Sequence, residues 1–240
     1  MNKNYNGKNI SNEKIFLYFG ISVFTYSLCA ALVIQFFVLD VLVHVYRYDI
    51  NLANGLTVLD SFNFDLIARE MSTTIREEGW QAWELRPQGS SPAGIASIFY
   101  TLWTPKPYSL LPLNALVHAL SGCFVFWILK NFFSWKSAIL GATIFVLNPA
   151  AMEWVAQIHR DGLFILGNLM ILTCLFQFSN SFESGKVKTM VWGLFYGVLG
   201  SIIAWISRPY WLEILLILIL LWIILFFLVN QFKCVYKYEK

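Results

Sequence analysis

The residues able to do chemistry fall in three separate segments of this 240-residue chain. The first holds two aspartates, Asp60 and Asp65, followed by Glu84 and Arg86 in the polar stretch Trp83-Glu84-Leu85-Arg86-Pro87-Gln88-Gly89. The second is His159-Arg160-Asp161, and the third is Ser207-Arg208-Pro209-Tyr210. A carboxylate can take the proton of a weakly nucleophilic hydroxyl as that hydroxyl attacks. Arginine can hold a phosphate bidentately and stabilise the charge that grows on a phosphate leaving group. Acids and arginines in this mixture suit group transfer onto a hydroxyl with a phosphate departing.

Each of these residues also has a plainer reading. Asp60 precedes an amphipathic run and suits a helix N-cap. Asp65 can occupy a solvated face or pair with Arg69, one helical turn on. Glu84 and Arg86 can pair with each other, as can Arg160 and Asp161. Arg208 can snorkel from a helix end, and Tyr210 and Trp211 can anchor at an interface. His118 reads as a packing residue. Asp60 and Asp65 do not have metal-loop spacing, and no His, Asp or Glu cluster has zinc or calcium spacing, so the sequence assigns no metal site. A glycine-rich phosphate loop for a nucleotide is also missing.

The elements that must position these residues are membrane helices. The composition is 58% hydrophobic and only 13% charged, with net charge +3 and mean hydropathy +0.61. Soluble domains carry about 25% charged residues. Disordered, collagen-like and nucleic-acid-binding classes fail on the same composition. A crossing needs roughly 20 mostly apolar residues. Six stretches qualify as spans: Ile15–Leu39, Leu110–Leu129, Ser137–Ala151, Leu163–Phe178, Met190–Ile206 and Trp211–Val229. None alternates with period two as a barrel strand does. The expected fold is an all-α polytopic membrane protein forming a single membrane domain over residues 1–240. It has a cytoplasmic tail 1–14, a first span 15–39, a structured outer loop 40–109, five further spans over 110–231 and a tail 232–240.

Charge sets the orientation. With both termini inside, ten of the eleven lysines lie on the cytoplasmic side, leaving only Lys106 outside with all six arginines and eleven of the fourteen acids. Lysine bias of this kind marks the cytoplasmic face. The amino-terminal run is too long for a cleaved signal core and reads as a retained anchor. Cys29, Cys123, Cys174 and Cys234 read as reduced packing residues. The pair Gly193-x3-Gly197 suits a helix-packing face.

The outer loop between the first two spans is long enough to carry structure of its own. From Asp60 to Glu78 the apolar residues Phe64, Ile67, Ala68, Met71 and Ile75 recur at helical spacing, with Asp65, Arg69, Glu70, Arg76 and Glu77 opposite. That predicts an amphipathic helix capped by Asp60 or Ser61 and stopped by Gly79. Lying at an interface, it would put Trp80 and Trp83 at headgroup depth. A second helix is expected from Ser91-Pro92, with Ile95, Ile98, Phe99 and Leu102 on one face.

Taken in order, these features resemble the GT-C superfamily of membrane glycosyltransferases, particularly the family 39-like enzymes that use polyprenyl-phosphate sugars. The residues carrying the likeness span about 15–215. They are Leu59-Asp60-Ser61 with Phe64, Ile67 and Ala68, then Arg86-Pro87-x-Gly89, Ile98-x-Tyr100-x-Leu102 and Leu113-Asn114-Ala115-Leu116, and finally Arg160-Asp161 and Arg208-Pro209-Tyr210. The resemblance implies inverting transfer of a sugar from a polyprenyl-phosphate donor to a hydroxyl of a lipid, glycan or protein acceptor. It implies Asp60 as the base, with Asp65 as its nearer rival. It matches Arg160-Asp161 to a basic–acidic pair of the second outer loop and Arg208 to an arginine near the carrier site; by residue type His159 joins Arg160 and Arg208 at the donor phosphate, and Glu84, Arg86, Asp161 and Tyr210 suit the sugar or acceptor. Some members use a divalent ion and others none, so the likeness implies no certain cofactor. Members usually have seven or more spans, so six suggest a truncated, divergent or partner-dependent version. The expected place is a bacterial inner membrane, with membrane lipids and a completing protein as partners. A non-catalytic accessory subunit is the alternative. A lipid-glycan transporter ranks last, because the spans offer only His118 and Asn168 as mid-membrane polar groups.

Overall fold

Every regular element among the described residues is helical. The computed structural model describes residues 12–38 and 59–238. The tails 1–11 and 239–240 lie outside the described residues. So does segment 39–58, with the end of the first expected span, Arg47 and the start of the outer loop.

In chain order the helices are α1 (Asn12–Val33, continued by a π-helical turn Ile34–Val38), α2 (Leu59–Glu78) and α3 (Ser91–Leu102). Then follow α4 (Leu111–Lys130), α5 (Trp135–Val146), α6 (Pro149–Val155), α7 (Asp161–Ser184), α8 (Val187–Ser207) and α9 (Trp211–Tyr238). Short 3₁₀ turns at Trp80–Ala82, Pro87–Gly89 and Pro107–Leu110 make the outer connections.

Four stretches are long and apolar enough to cross a membrane: Lys14–Phe37, Pro107–Lys130, Asp161–Ser181 and Val187–Ser207. By length and hydropathy the chain is an integral membrane protein. These four coincide with the first, second, fourth and fifth expected spans. The expected third span, Ser137–Ala151, is not one helix. Asn148 breaks it, its side-chain oxygen accepting the Ala150 N–H at 3.1 Å, and Pro149 restarts the chain as α6. The 12 residues of α5 reach about 18 Å at 1.5 Å per residue, short of a hydrocarbon core of about 30 Å. The sixth expected span falls in α9, where the apolar stretch among the described side chains is Glu213–Phe226.

Helices α7 and α8 form an antiparallel hairpin whose turn is Gly185 at φ 67°, a left-handed position that suits glycine. Their contact is built on small residues. A Cβ on Gly200 would sit 2.6 Å from the Gly167 carbonyl oxygen, and one on Gly167 would sit 2.8 Å from the Gly200 carbonyl oxygen. One on Gly197 would sit 2.7 Å from Cys174 Sγ, and one on Gly193 would sit 3.0 Å from Gln177 Cβ. Gly193-x3-Gly197 is therefore part of a packing face, as its spacing suggested, and that face continues through Gly200 and buried Ala204. Between apolar helices in lipid, close backbone approach of this kind supplies the dispersion contact that hydrophobicity cannot.

Around the hairpin, α1 lies along α4 through Val23, Phe19 and Ala119, and α5 folds back on α4 through Ala138, Ala142 and Phe126. Val117 on α4 meets Leu166 and Met170 on α7. Outward-facing Val191, Phe195 and Val198 on α8 and Leu216, Ile217 and Leu220 on α9 stay exposed, as lipid-facing residues do. Cys29, Cys123 and Cys174 are free thiols.

Packing this close makes a specific prediction. Gly200→Ala should destabilise the protein by about 1–3 kcal/mol, because backbone must move to admit the methyl. Gly162→Ala, whose Cβ would meet its nearest atoms at 3.6 Å, should be neutral or mildly stabilising. Thermal unfolding of both variants in detergent checks the contrast, and equal unfolding temperatures would refute it.

Candidate functional site

Helices α2 and α3 pack against each other along a face of α2 that shares Ala68 and Ile75 with the predicted apolar face but is turned toward Ser61, Asp65 and Ser72. The buried stripe is Ser61, Asp65, Ala68, Ser72 and Ile75. Phe64, Ile67 and Met71 flank it half-buried, and Leu66 points out. The facing side of α3 is equally small-featured, with Ala93, Gly94, Ala96 and Ser97 buried. Small side chains let the helices approach closely enough to enclose a carboxylate.

That carboxylate is Asp65, fully buried. The Tyr100 hydroxyl donates to its Oδ1 at 2.5 Å and Arg69 Nε donates to its Oδ2 at 2.8 Å. The expected Asp65–Arg69 pair exists, but inside the hairpin instead of on a solvated face. With both oxygens committed and no solvent access, Asp65 is a structural residue; the rival assignment as base is corrected. Burial, reinforced by the Asp65 charge, pushes the Tyr100 hydroxyl well above the usual tyrosine value.

The turn between α2 and α3 docks on the bundle. Gly79 ends α2 at φ 93° with its N–H on the Ile75 carbonyl, as expected of a stop. Trp83 is tied to α3, its Nε1 donating to the Gly94 carbonyl at 2.9 Å. Gly94 is forced by a close crossing, since a Cβ there would lie 2.2 Å from the Leu85 carbonyl oxygen. Beyond the crossing, Arg86 Nη2 donates to the Trp205 carbonyl and Ser91 Oγ to the Ile206 carbonyl, both at 2.6 Å. The Arg86 guanidinium also lies 4.2 Å from the Trp205 ring centroid. Arg86 thus closes the last turn of α8 instead of pairing with Glu84. Glu84 is exposed and lines a shallow groove of about 170 Å³ with Glu70, Thr74 and Gln88. Two carboxylates there suit hydroxyl donors and repel phosphate.

The other site residues converge. Arg160 Nη2 lies 3.2 Å from Asp60 Oδ2 across 100 positions of sequence. The next residue, Asp161, accepts from Arg208 Nη2. Arg208 rests over the Phe164 ring at 4.7 Å, with the Tyr210 hydroxyl 3.5 Å from its Nη1. His159 Nδ1 accepts the Asp161 backbone N–H at 3.2 Å, which leaves the ring proton on Nε2. Its 3.4 Å approach to the Asp161 carboxylate is then no ion pair, because Nδ1 has no proton to give. Asp60 lies in the first turn of α2, inside the helix and not in the cap position, where its charge favours the helix dipole. Arg160 precedes α7 and Arg208 follows α8. Three helix ends therefore bring Asp60, His159, Arg160, Asp161, Arg208 and Tyr210 into one cluster; Asp65 and Glu84 make no bond to it, and neither does Arg86, which docks on the same end of α8.

Two further residues position the cluster. Asn114 Nδ2 reaches the carbonyls of Gln157 at 2.7 Å, Val155 at 3.1 Å and Trp154 at 3.4 Å, holding the segment that leads into His159-Arg160. His118 Nε2 meets the Val146 carbonyl at 3.1 Å, its buried Nδ1 has no partner, and the residue lines a cavity of about 20 Å³, the size of one water. Among the described residues no group of three or more His, Cys, Asp or Glu side chains could hold a metal ion. No protein-family model, characterised protein or solved structure compared with the chain matches it.

The two aspartates should separate cleanly by stability. Tyr100→Phe removes a donor from a buried carboxylate and should cost about 1–3 kcal/mol, and Asp65→Asn should cost at least as much. Asp60→Asn should leave the unfolding temperature within a degree or two. Because Tyr100 is raised in the folded protein, its contribution is complete below 10.0, the ordinary tyrosine value, and is lost as pH rises further. Unfolding followed from pH 8 to 11 should show that alkaline loss in the wild type and a weaker one in Tyr100→Phe.

Proposed function

We propose that this chain is a GT-C-like membrane glycosyltransferase that moves a sugar from a polyprenyl-phosphate donor to an acceptor hydroxyl. In this reading the chain crosses a bacterial inner membrane six times, α5 and α6 together making the third passage, with both termini in the cytoplasm and the site facing outward. The observation that carries it is the convergence of Asp60, Arg160, Asp161 and Arg208 from three distant segments onto one set of helix ends. The cluster holds a carboxylate for the hydroxyl proton and two arginines for a phosphate. Arg208 also keeps an unpartnered Nε–H.

The resting pairs suit exchange. Asp60 and Arg160 are 51% and 38% exposed, and exposed ion pairs are worth only about 0–1 kcal/mol. A donor phosphate can therefore draw Arg160 away from Asp60 at little cost and leave the carboxylate free. The acceptor oxygen then attacks the anomeric carbon from the face opposite the phosphate. As that bond forms, the hydroxyl proton passes to Asp60, and the C–O bond to the carrier breaks with its electron pair on the phosphate. Arg160 and Arg208 hold the resulting charge, and a phosphate leaving group needs no strong acid.

A second reading is a non-catalytic subunit of a glycan-assembly system. What favours it is that Asp60 with Arg160, and Asp161 with Arg208, already satisfy one another within the chain. Transfer of labelled sugar from a lipid-linked donor in reconstituted membranes distinguishes the two. On the enzyme reading Asp60→Asn loses roughly 100-fold or more in rate while keeping its unfolding temperature. Full activity in a folded Asp60→Asn protein removes Asp60 as base. No turnover by the wild type alone, restored by a second membrane polypeptide, supports the subunit reading.

A further inference from the structure

The opposite end of the α7–α8 hairpin carries a different kind of site. A groove of about 640 Å³ opens beside the hairpin turn, lined by Gln177, Lys186, Lys188, Thr189, Trp192 and Tyr196. Lys186 and Lys188 are exposed, and neither pairs with an acid among the described residues. Helix α8 starts here without a side-chain cap, so its first N–H groups add partial positive charge. Gln177 is 7% exposed, and its Oε1 is buried with no donor. That oxygen is closed off from the groove against Gly193, so the lysines and the start of α8 set what the groove takes.

The surroundings identify the source of that ligand. From Lys188 an exposed apolar stripe runs down α8 through Val191, Phe195, Val198 and Ile202, each about half exposed or more. A cationic head over an apolar track along one helix face matches a phospholipid, with phosphate at the lysines and an acyl chain on the stripe. Trp192 and Tyr196, whose ring centroids are 6.2 Å apart, wall the groove at headgroup level.

We infer that this groove is a binding site for an anionic phospholipid. The phosphate meets Lys186, Lys188 and the start of α8. The site lies at the far end of the hairpin from Arg160 and Arg208, so it stands whether or not the chain transfers sugar.

The test is native mass spectrometry of the full chain released from detergent containing defined lipids. Phosphatidylglycerol should be retained at least ten-fold over phosphatidylcholine. The double variant Lys186→Gln, Lys188→Gln should lose roughly 30-fold in occupancy, since each lysine near an anionic surface contributes about 1 kcal/mol. Phosphatidylmethanol, which has the charge but no headgroup hydroxyl, should be retained as well as phosphatidylglycerol. Equal retention by the wild type and the folded double variant overturns the site. Displacement of the lipid by millimolar inorganic phosphate overturns the lipid assignment in favour of a free phosphate ligand.

Discussion

The packing of α2 and α3 on the bundle depends on how α8 ends. The last four carbonyls of a helix have no partner within it, and beside a hydrocarbon phase there is little water to supply one. Arg86 and Ser91 answer two of these carbonyls from 115 or more positions away in sequence. Arg86 is suited to the place twice over, as a cation at a helix C-terminus and as a flat group on the Trp205 ring. That contact sets the position of the turn before α3, and α3 carries Tyr100. Tyr100 holds Asp65, Asp65 locks α2, and the start of α2 brings Asp60 to Arg160. Geometry at the candidate site is therefore inherited, step by step, from the need to finish a helix.

Burial divides the acids of α2 into two kinds. Asp65 sits where an unpaired charge would be prohibitive, so both of its oxygens are held and it cannot move. Asp60, little more than one turn earlier, meets only Arg160 and remains half open to solvent. The same side chain is structural at one position and free to exchange partners at the other, with the surroundings making the difference.

The sequence was most legible where a residue type has one dominant physical use. Continuous apolar runs indicated helices, Gly79 its stop, and Gly193 and Gly197 a packing face. It misled where small residues carry the interface. Ser61 and Ser72 have no hydrophobic signal, so the buried stripe of α2 kept Ala68 and Ile75 of the apolar face but turned toward Asp65, which was expected in solvent. The same blindness hid Gly167 and Gly200, whose role appears only when two helices 33 positions apart meet. Trp83 and Arg86 were read by chemical type, as an interfacial anchor and a ligand-binding cation. Their actual partners are backbone carbonyls, which no side-chain pattern announces. Asp60 with Arg160 lay beyond reach for a related reason: each has an obvious local partner or cap role, and only the fold replaces it with a partner 100 residues distant.

The break after α5 ties the fold to the polar residues of α4. Irregular backbone at membrane depth is tolerated only where other protein groups satisfy it. Asn148-Pro149 ends one helix and starts another, and α6 itself ends at Val155, which together free the carbonyls of Val146, Trp154, Val155 and Gln157. His118 takes the first of these and Asn114 the other three. The two residues lie four apart, on one face of α4, as this task requires. Asn168 is occupied in a comparable way, donating to the Phe164 carbonyl and accepting from Trp211 Nε1, which joins α7 to α9. The polar groups that might have suggested an ion or substrate path through the bundle are therefore spent on backbone and helix joints. They make the broken helix stable, and the broken helix delivers His159-Arg160-Asp161 to the membrane face where Asp60 and Arg208 end.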